Sequence, residues 1–180
     1  WQQLVNTGTS QSGFVPVGLD VGQYDNNWRT LNQIAFADIE QTLRQLTGSR
    51  TVLDSAKCID AVTPAYKDLV KRWFVSLEHA GRIEQQGDAW RGIVDFDPEQ
   101  RVRCIEELKT ASADIAVLVD YIVRCGDNLT DIVTGRSEAL ETLFPDGSWE
   151  TVESLYHDWS VARYFNSIVS AIVNRRASGV

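Results

Sequence analysis

The sequence has no methionine, only two histidines, three cysteines and four prolines among its 180 residues. Cys58, Cys104 and Cys125 are widely spaced, without a Cys-x-x-Cys pair, and only His79 and His157 accompany them, so the spacing does not indicate a zinc site. An odd number of cysteines argues against a disulfide framework and predicts reduced thiols in or near a core, as in cytosolic proteins. We therefore expect no metal site and a cytoplasmic location.

Long apolar runs are also missing. No run approaches the roughly 18 residues that a membrane-spanning helix needs, so we expect no membrane association. The N-terminal stretch WQQLVNTGTS has neither the basic start nor the apolar core of a secretory signal. Because the first residue is Trp1 and no methionine occurs anywhere, we expect the chain to be a piece excised from a longer protein.

Positive charge is scarce as well. The 17 Lys and Arg residues are outnumbered by 25 Asp and Glu residues, which gives a net charge of −8. Nucleic-acid binding needs clustered Lys and Arg, so this balance argues against a nucleic-acid partner. The content of 43% hydrophobic and 23% charged residues is typical of a soluble globular protein, and the length suits one domain or two small units that share a core.

The first half of the chain predicts a winged-helix-like unit. Residues 1–30 predict an irregular segment of turns and extended chain. Residues 31–96 predict one helix from Leu31 to Gly48, a short helix or strand, a second helix from Thr63 to Gly81 and a small β-hairpin around the turn QQGD. The second helix has Thr63 as its N-cap and a predicted buried face of Tyr66, Leu69, Val70, Trp73, Phe74 and Leu77.

Residues 97–180 predict a second half that is almost entirely helical. Its first helix runs from Asp97 to Gly126, and Gln100 completes a capping box with Asp97. Shorter helices follow on both sides of the turn FPDG, and Ser160 caps the last helix. The fold class is therefore mainly α, and because no long linker separates the halves, we expect one structural unit.

The usual catalytic motifs are absent: the sequence has no G-x-G-x-x-G, Walker loop, H-E-x-x-H or G-x-S-x-G. His79 falls at the end of a predicted helix, where a cation favours the helix dipole, so a structural role is predicted. His157 and Asp158 are candidates for an acid–base pair, but adjacent residues of a helix point in different directions. These patterns predict no catalytic residue.

Large aromatic residues are concentrated near the C-terminus: Trp149, Tyr156, Trp159, Tyr164 and Phe165. Two interpretations are open. The aromatic side chains form a core stripe that holds the last two helices against the rest of the chain, or they form the wall of a tunnel for an acyl chain or cofactor. In the second interpretation, Tyr164 and Asn166 supply the polar contacts.

The stretch LVDYIVRCGDNLTDIVTGRSEALETLFPDGSWETVESLYHDWSVARYFNSIVSAIV resembles the segment just upstream of the embedded carbon-methyltransferase core in modular polyketide synthases and some peptide synthetases. YDNNW and YKDLVKRWFVSLEHAGRIEQQGDAW also resemble this family, so the resemblance covers about residues 14–175. The matching positions in the long stretch are Cys125, Gly126, Leu129, Gly135, Leu143, Phe144, Pro145, Gly147, Ser148, Leu155, Tyr156, Asp158, Arg163 and Asn166.

The resemblance implies that residues 97–180 form the helical lid half, or helper subdomain, of a carbon-methylating domain. In this family the lid packs over a core that binds S-adenosylmethionine, and lid and core enclose a tunnel for an acyl chain on the phosphopantetheine arm of an acyl carrier protein. The implied partners are the downstream methyltransferase core and that carrier protein. S-adenosylmethionine is implied for the parent domain and no cofactor for this chain alone, because the family's glycine-rich loop and catalytic His and Glu lie beyond Val180.

The tunnel candidates implied by the resemblance are Tyr24, Trp28, Tyr156, Tyr164, Phe165 and Asn166. The family commonly has a tyrosine directly before the asparagine, whereas this chain has Phe165 there and a tyrosine one position earlier. A lid separated from its core exposes an apolar face, so we also expect homodimerisation or limited aggregation.

Three other functions are open. The chain can be a freestanding or degenerate, non-catalytic docking module of a megasynthase. A winged-helix DNA-binding protein is suggested by Lys67, Lys71 and Arg72, which Asp68 and Glu78 offset. The last alternative is an enzymatic activity of the chain itself, for which the sequence gives no positive sign.

Overall fold

A computed structural model describes residues 1–16, 18–49, 51–87, 89–92, 97–111 and 113–178. The fold is mainly helical with one small antiparallel sheet, as the sequence predicts. Its helices are α1 Gln2–Ser12, α2 Tyr24–Thr47, α3 Ser55–Ala61, α4 Lys67–His79, α5 Pro98–Ala111, α6 Ala113–Asp127, α7 Leu129–Val133, α8 Ala139–Leu143, α9 Glu150–Glu153 and α10 Ser160–Ala177. The strands are β1 Val52–Leu53, β2 Ile83–Gln86 and β3 Ala89–Gly92.

Helix α2 belongs to both hydrophobic cores of the molecule. Its C-terminal half supplies Leu43 to the first core, and its N-terminal half supplies Leu31 and Ile34 to the second. The helix ends where expected, at Gly48, which adopts a left-handed backbone with φ of 69° and donates its N–H to the Arg44 carbonyl. The two halves of the chain therefore share one long helix.

The first core confirms the predicted winged-helix-like arrangement. Helices α3 and α4 pack with α2 against a three-stranded sheet of order β1-β3-β2. In the predicted hairpin, Ile83 pairs with Gly92, and Trp90 packs on Phe74 with ring centroids 5.6 Å apart. The segment left open as helix or strand contains both β1 and α3.

The predicted buried face of α4 is correct except at one position. Val70, Trp73, Phe74 and Leu77 are buried and Tyr66 is partly buried, but Leu69 is 38% exposed. Thr63 precedes a 3₁₀ turn rather than capping the helix, and its N–H donates to the Val133 carbonyl at 2.9 Å.

The second core is built by a helical hairpin, so the single helix predicted from Asp97 to Gly126 is wrong. Helices α5 and α6 lie antiparallel, because Arg101 pairs with Asp127 at 2.8 Å and Lys109 with Asp120 at 2.5 Å. The apolar spacing Cys104, Leu108, Ile115, Val119 stays in phase across the reversal, so periodicity alone indicates a continuous helix.

The expectation of an irregular segment over residues 1–30 is also wrong. It contains α1 and the beginning of α2, which starts at Tyr24 rather than Leu31. Helix α1 has no charged residue and no capping side chain; it is stabilised by antiparallel packing on α10, where Gly8 faces Ile172. Such packing outweighs weak local propensity. Whether the chain divides functionally at residues 30 and 96 stays a prediction.

Helix α2 lies close to α6 at Gly126. A Cβ atom added there would overlap the carboxylate of Asp38, which is only 6% exposed. Asp38 pairs with Arg101 at 2.5 Å, and Arg101 also bonds Asp127. One cation thus joins α2, α5 and α6, and glycine provides the space for it.

Substituting Gly126 by alanine should lower the free energy of unfolding by about 3 kcal/mol, because Asp38 must move and leave Arg101. Gly13→Ala is the control: Gly13 has a right-handed φ of −73° and an added Cβ meets only the Ser10 carbonyl, at 3.4 Å. Urea unfolding of both variants measures the difference, and equal effects would contradict the close approach.

Asp38 should also give the stability a specific pH dependence. Burial raises its pKa from 3.8 to about 6, although Arg101 opposes the shift. The folded state therefore binds this proton more tightly than the unfolded state, so the contribution is fully present below pH 3.8 and is lost as pH rises through 6. Urea titrations from pH 4 to 7 should show this loss in the natural chain and not in Asp38→Asn; identical pH profiles would refute it.

Candidate functional site

An open groove lies between the beginning of α2 and the beginning of α10. Tyr24 and Trp28 form one wall, with their rings edge to face at 5.9 Å, and Trp159 and Val161 lie on the α10 side. Tyr24 is 38% and Trp28 37% exposed, so both side chains are partly accessible to solvent. The residues lining its bottom, Leu31 and Ile115, are buried members of the second core. We call this the aromatic groove.

Two carboxylates border the aromatic groove, and both accept hydrogen bonds from the protein. Asp20 accepts the N–H groups of Gly22 and Gln23, at 2.9 and 3.2 Å. Asp114 accepts the N–H of Ser160 at 2.9 Å and its hydroxyl at 2.5 Å. Ser160 is completely buried, and its two hydrogen bonds with Asp114 anchor α10 to α6. Ser160 is not the N-cap of α10 that the sequence predicts, because Trp159 occupies that position.

The structure separates the six predicted tunnel residues. Tyr24 and Trp28 share the aromatic groove. Tyr164 is turned towards α1, where its hydroxyl donates to the Ser12 carbonyl at 2.9 Å. Asn166 donates to the Tyr156 carbonyl at 2.8 Å, bracing α10 against the preceding turn. Phe165 and Tyr156 lie on the open surface, with 57% and 66% of their area exposed.

Helix α10 carries an exposed apolar surface of which the sequence interpretation named only Phe165. Phe165, Val169 and Val173 follow one another at four-residue spacing and are 57–58% exposed. We call them the α10 stripe. Val161 continues the same spacing into the aromatic groove, so the groove and the stripe adjoin. The spacing is visible in the sequence, but only the structure shows that α1 covers a different face of α10.

The core-stripe interpretation of the C-terminal aromatic residues is wrong for three of the five. Trp149, Tyr156 and Phe165 are more than half exposed, and only Trp159 and Tyr164 are partly buried. Trp149 packs edge to face on Phe144 at 4.9 Å. The cluster therefore presents aromatic surface to solvent instead of filling the interior.

His157 and Asp158 do contact each other, contrary to the sequence expectation. A π-helical turn, Ser154–Asp158, brings Nδ1 and Oδ1 to 2.8 Å. The hydrogen bond with Asp158 raises the pKa of His157, and the carboxylate charge adds to this. Both side chains are largely exposed, at 80% and 63%, where water screens such a pair. The geometry is that of a surface ion pair.

The cysteines and the basic residues of α4 are accounted for by packing and by ion pairs within the protein. Burial raises the pKa of Cys58 to about 12, and the buried Cys104 thiol donates to the Gln33 side chain. Lys67 and Lys71 on α4 pair with Asp60 and Asp68, so they do not form an unopposed basic surface. Within the described ranges no cluster of His, Cys, Asp or Glu could hold a metal ion, and no helix could cross a membrane.

Similar solved structures define the class of the fold. The chain matches the CurJ carbon methyltransferase with a TM-score of 0.80 and 21% identity, over 99% of this chain and 48% of that one. It matches the DszA carbon methyltransferase with a TM-score of 0.75 and 18% identity, over 88% and 43%. The fold is therefore that of the helical N-terminal region of a carbon methyltransferase domain.

Similar sequences agree with the fold. No family model matches the chain. Polyketide synthase ThaG of Burkholderia thailandensis is 37% identical over 61% of this chain, and pyochelin synthetase PchF of Pseudomonas aeruginosa is 26% identical over 73%. The chain spans only 2% and 8% of these two proteins. The resemblance to the methyltransferase-associated region of polyketide synthases is thus confirmed.

Tyr164→Phe should lower the free energy of unfolding by about 1 kcal/mol, because the Ser12 carbonyl loses its partner and α1 loses one of its links to α10. Tyr156→Phe is the matched control, since that residue is 66% exposed. Thermal unfolding compares the variants; a loss confined to Tyr156→Phe would contradict the assignment.

Proposed function

We propose that this chain is the lid region of a polyketide synthase carbon-methylating domain and that it shapes the tunnel for a carrier-bound acyl chain. The observation that supports this most directly is the α10 stripe, an apolar surface left open on a chain that matches about half of a carbon methyltransferase. Contiguous exposed apolar surface marks an interaction site. The proposed occupant is the remaining, S-adenosylmethionine-binding half of the domain.

The chain's own residues do not fit S-adenosylmethionine. The sequence has no glycine-rich loop of the G-x-G-x-x-G type, and the described sheet is three short antiparallel strands without a parallel strand–helix unit. We therefore assign no methyl-transfer step to these residues. Their proposed contribution is to exclude water and to orient the acyl chain, which are the usual functions of a lid.

The proposed partners are the downstream methyltransferase core and an acyl carrier protein whose phosphopantetheine arm delivers the acyl group. The exposed aromatic residues Tyr156, before α10, and Phe165, within it, suit an apolar substrate more than a charged one. A cytoplasmic location accords with reduced thiols. Homodimerisation through the same stripe is the competing use of this surface.

The polypeptide encoded directly after Val180 should bind this chain, and Val169→Asp should weaken the binding at least about tenfold, because an unpaired carboxylate would be buried. Val75→Asp on α4 is the matched control, since Val75 is also an exposed helical valine, at 49%. Titration calorimetry with the two separately expressed polypeptides measures both.

Three results would overturn the proposal: a stop codon directly after Val180, no binding, or equal loss in both variants. Binding of a carrier protein without any methyltransferase core would favour the docking module instead. Light scattering on this chain without the core tests for homodimerisation through the stripe. If the chain dimerises there, Val169→Asp should give the molar mass of a monomer.

A further inference from the structure

We infer that a polar pocket between α2 and the turn from α6 into α7 binds the guanidinium group of an arginine on a partner protein. The pocket has a volume of about 330 Å³ and shares no lining residue with the aromatic groove. We call it the acidic pocket, and its lining is Asp38, Gln41, Thr42, Gln45, Gly126, Asp127, Thr130, Asp131 and Arg136. It includes no residue of the α10 stripe, so the inference goes beyond the proposed function and does not depend on it.

The most deeply buried acid of the pocket has one unused oxygen. Asp38 is only 6% exposed, and its Oδ1 accepts a hydrogen bond from the Arg101 Nε at 2.5 Å. Its Oδ2 lies against Gly126 and has no hydrogen-bond partner among the residues that the structure describes. An acceptor left unpaired in a buried position is unfavourable, so a donor that enters the pocket would be stabilised there.

The charges around the acidic pocket leave one negative charge uncompensated. Arg101 joins Asp38 to Asp127, at 2.5 and 2.8 Å, and Arg136 pairs with Asp131 at 2.6 Å. Three carboxylates thus stand against two arginines, and one further cation would make the group neutral. Over the described part of the chain these acids do not form a cluster suited to a metal ion, so the charge favours an organic cation.

Acceptors on two sides of the pocket favour a guanidinium over an ammonium. Gln41 lines it from α2, and Asp127 and Asp131 line it from α6 and α7. A guanidinium presents five N–H donors in a rigid plane and is more weakly hydrated than an ammonium, so it can bond several elements at once. Gln41 and Gln45 are exposed, which opens the pocket to another protein, and the net charge of −8 attracts a basic partner.

The test is an NMR titration of the ¹⁵N-labelled full chain with Nα-acetyl-arginine methylamide and with its citrulline analogue, which has the same shape without the charge. The arginine probe should bind at least about tenfold more tightly. Asp127→Asn should weaken arginine binding at least about fivefold, because a charged acceptor is lost. Asp120→Asn is the matched control, since Asp120 is a similarly exposed, ion-paired acid of α6 outside the pocket, and it should stay within about twofold.

Arginine binding should also depend on pH through Asp38. Burial raises the pKa of this carboxyl, which faces Arg101 of α5 and Asp127 of α6, to about 6, and a proton there competes with the guanidinium. Affinity should therefore fall about fourfold from pH 7.5 to 5.5 in the natural chain, whereas Asp38→Asn should bind more weakly at both pH values and without this fall.

Three results would each overturn the inference: equal binding of the two probes, equal affinities of Asp127→Asn and Asp120→Asn, or an affinity of the natural chain that does not change with pH. The two α6 variants and the pH titration of the natural chain decide the question even if Asp38→Asn does not fold, as judged by circular dichroism. The outcome is also separate from association of the downstream polypeptide, which is measured with variants of α10 and α4.

Discussion

The contact of Asp38 with Arg101 fixes the geometry on which the rest of the second half depends. It lies where α2 meets Gly126 of α6, and Arg101 carries the link onward to α5. Asp114, in the first turn of α6, in turn holds Ser160 and hence the start of α10. The two sides of the aromatic groove are therefore joined through these polar contacts and the length of α6 between them.

A second buried acid, Glu40, holds α2 in place against the first half of the chain. Glu40 is only 2% exposed and pairs with Arg82, which follows α4 and leads into the hairpin. Residues 38 and 40 lie about 200° apart around the helix axis, so the two acids face opposite sides of α2. Removing one partner of a buried pair typically costs about 3–5 kcal/mol. Helix α2 is thus held to each half of the chain by a separate buried ion pair.

Local signals in the sequence predicted the elements that local chemistry determines. Gly48 ends α2, and Gly81 follows α4 with a left-handed φ of 66°. The predicted QQGD turn falls where β2 ends and β3 follows, although its Asp88 lies outside the described residues. The break between α5 and α6 could not be predicted from the sequence, because the helical spacing of the apolar residues continues unchanged from α5 into α6. Helix α1 could not be predicted either, since its stability comes from a surface supplied by residues more than 150 positions away.

The site was only half predictable for a related reason. Sequence resemblance selected Tyr24 and Trp28, which do line the groove, but also Tyr164 and Asn166, whose polar groups are used within the protein. Hydrogen-bond partners so distant in sequence leave no local pattern.

The position of the stripe beside the groove has a consequence for how a lid would work. A partner that covers Phe165 and Val169 would border the open side of the groove and remove water from it. Any group held in the groove would then lie in a drier environment, where polar contacts are stronger. Because coupling between two binding events is reciprocal, such a group would also strengthen the association of the partner. Both effects would depend on one short segment, the first two turns of α10.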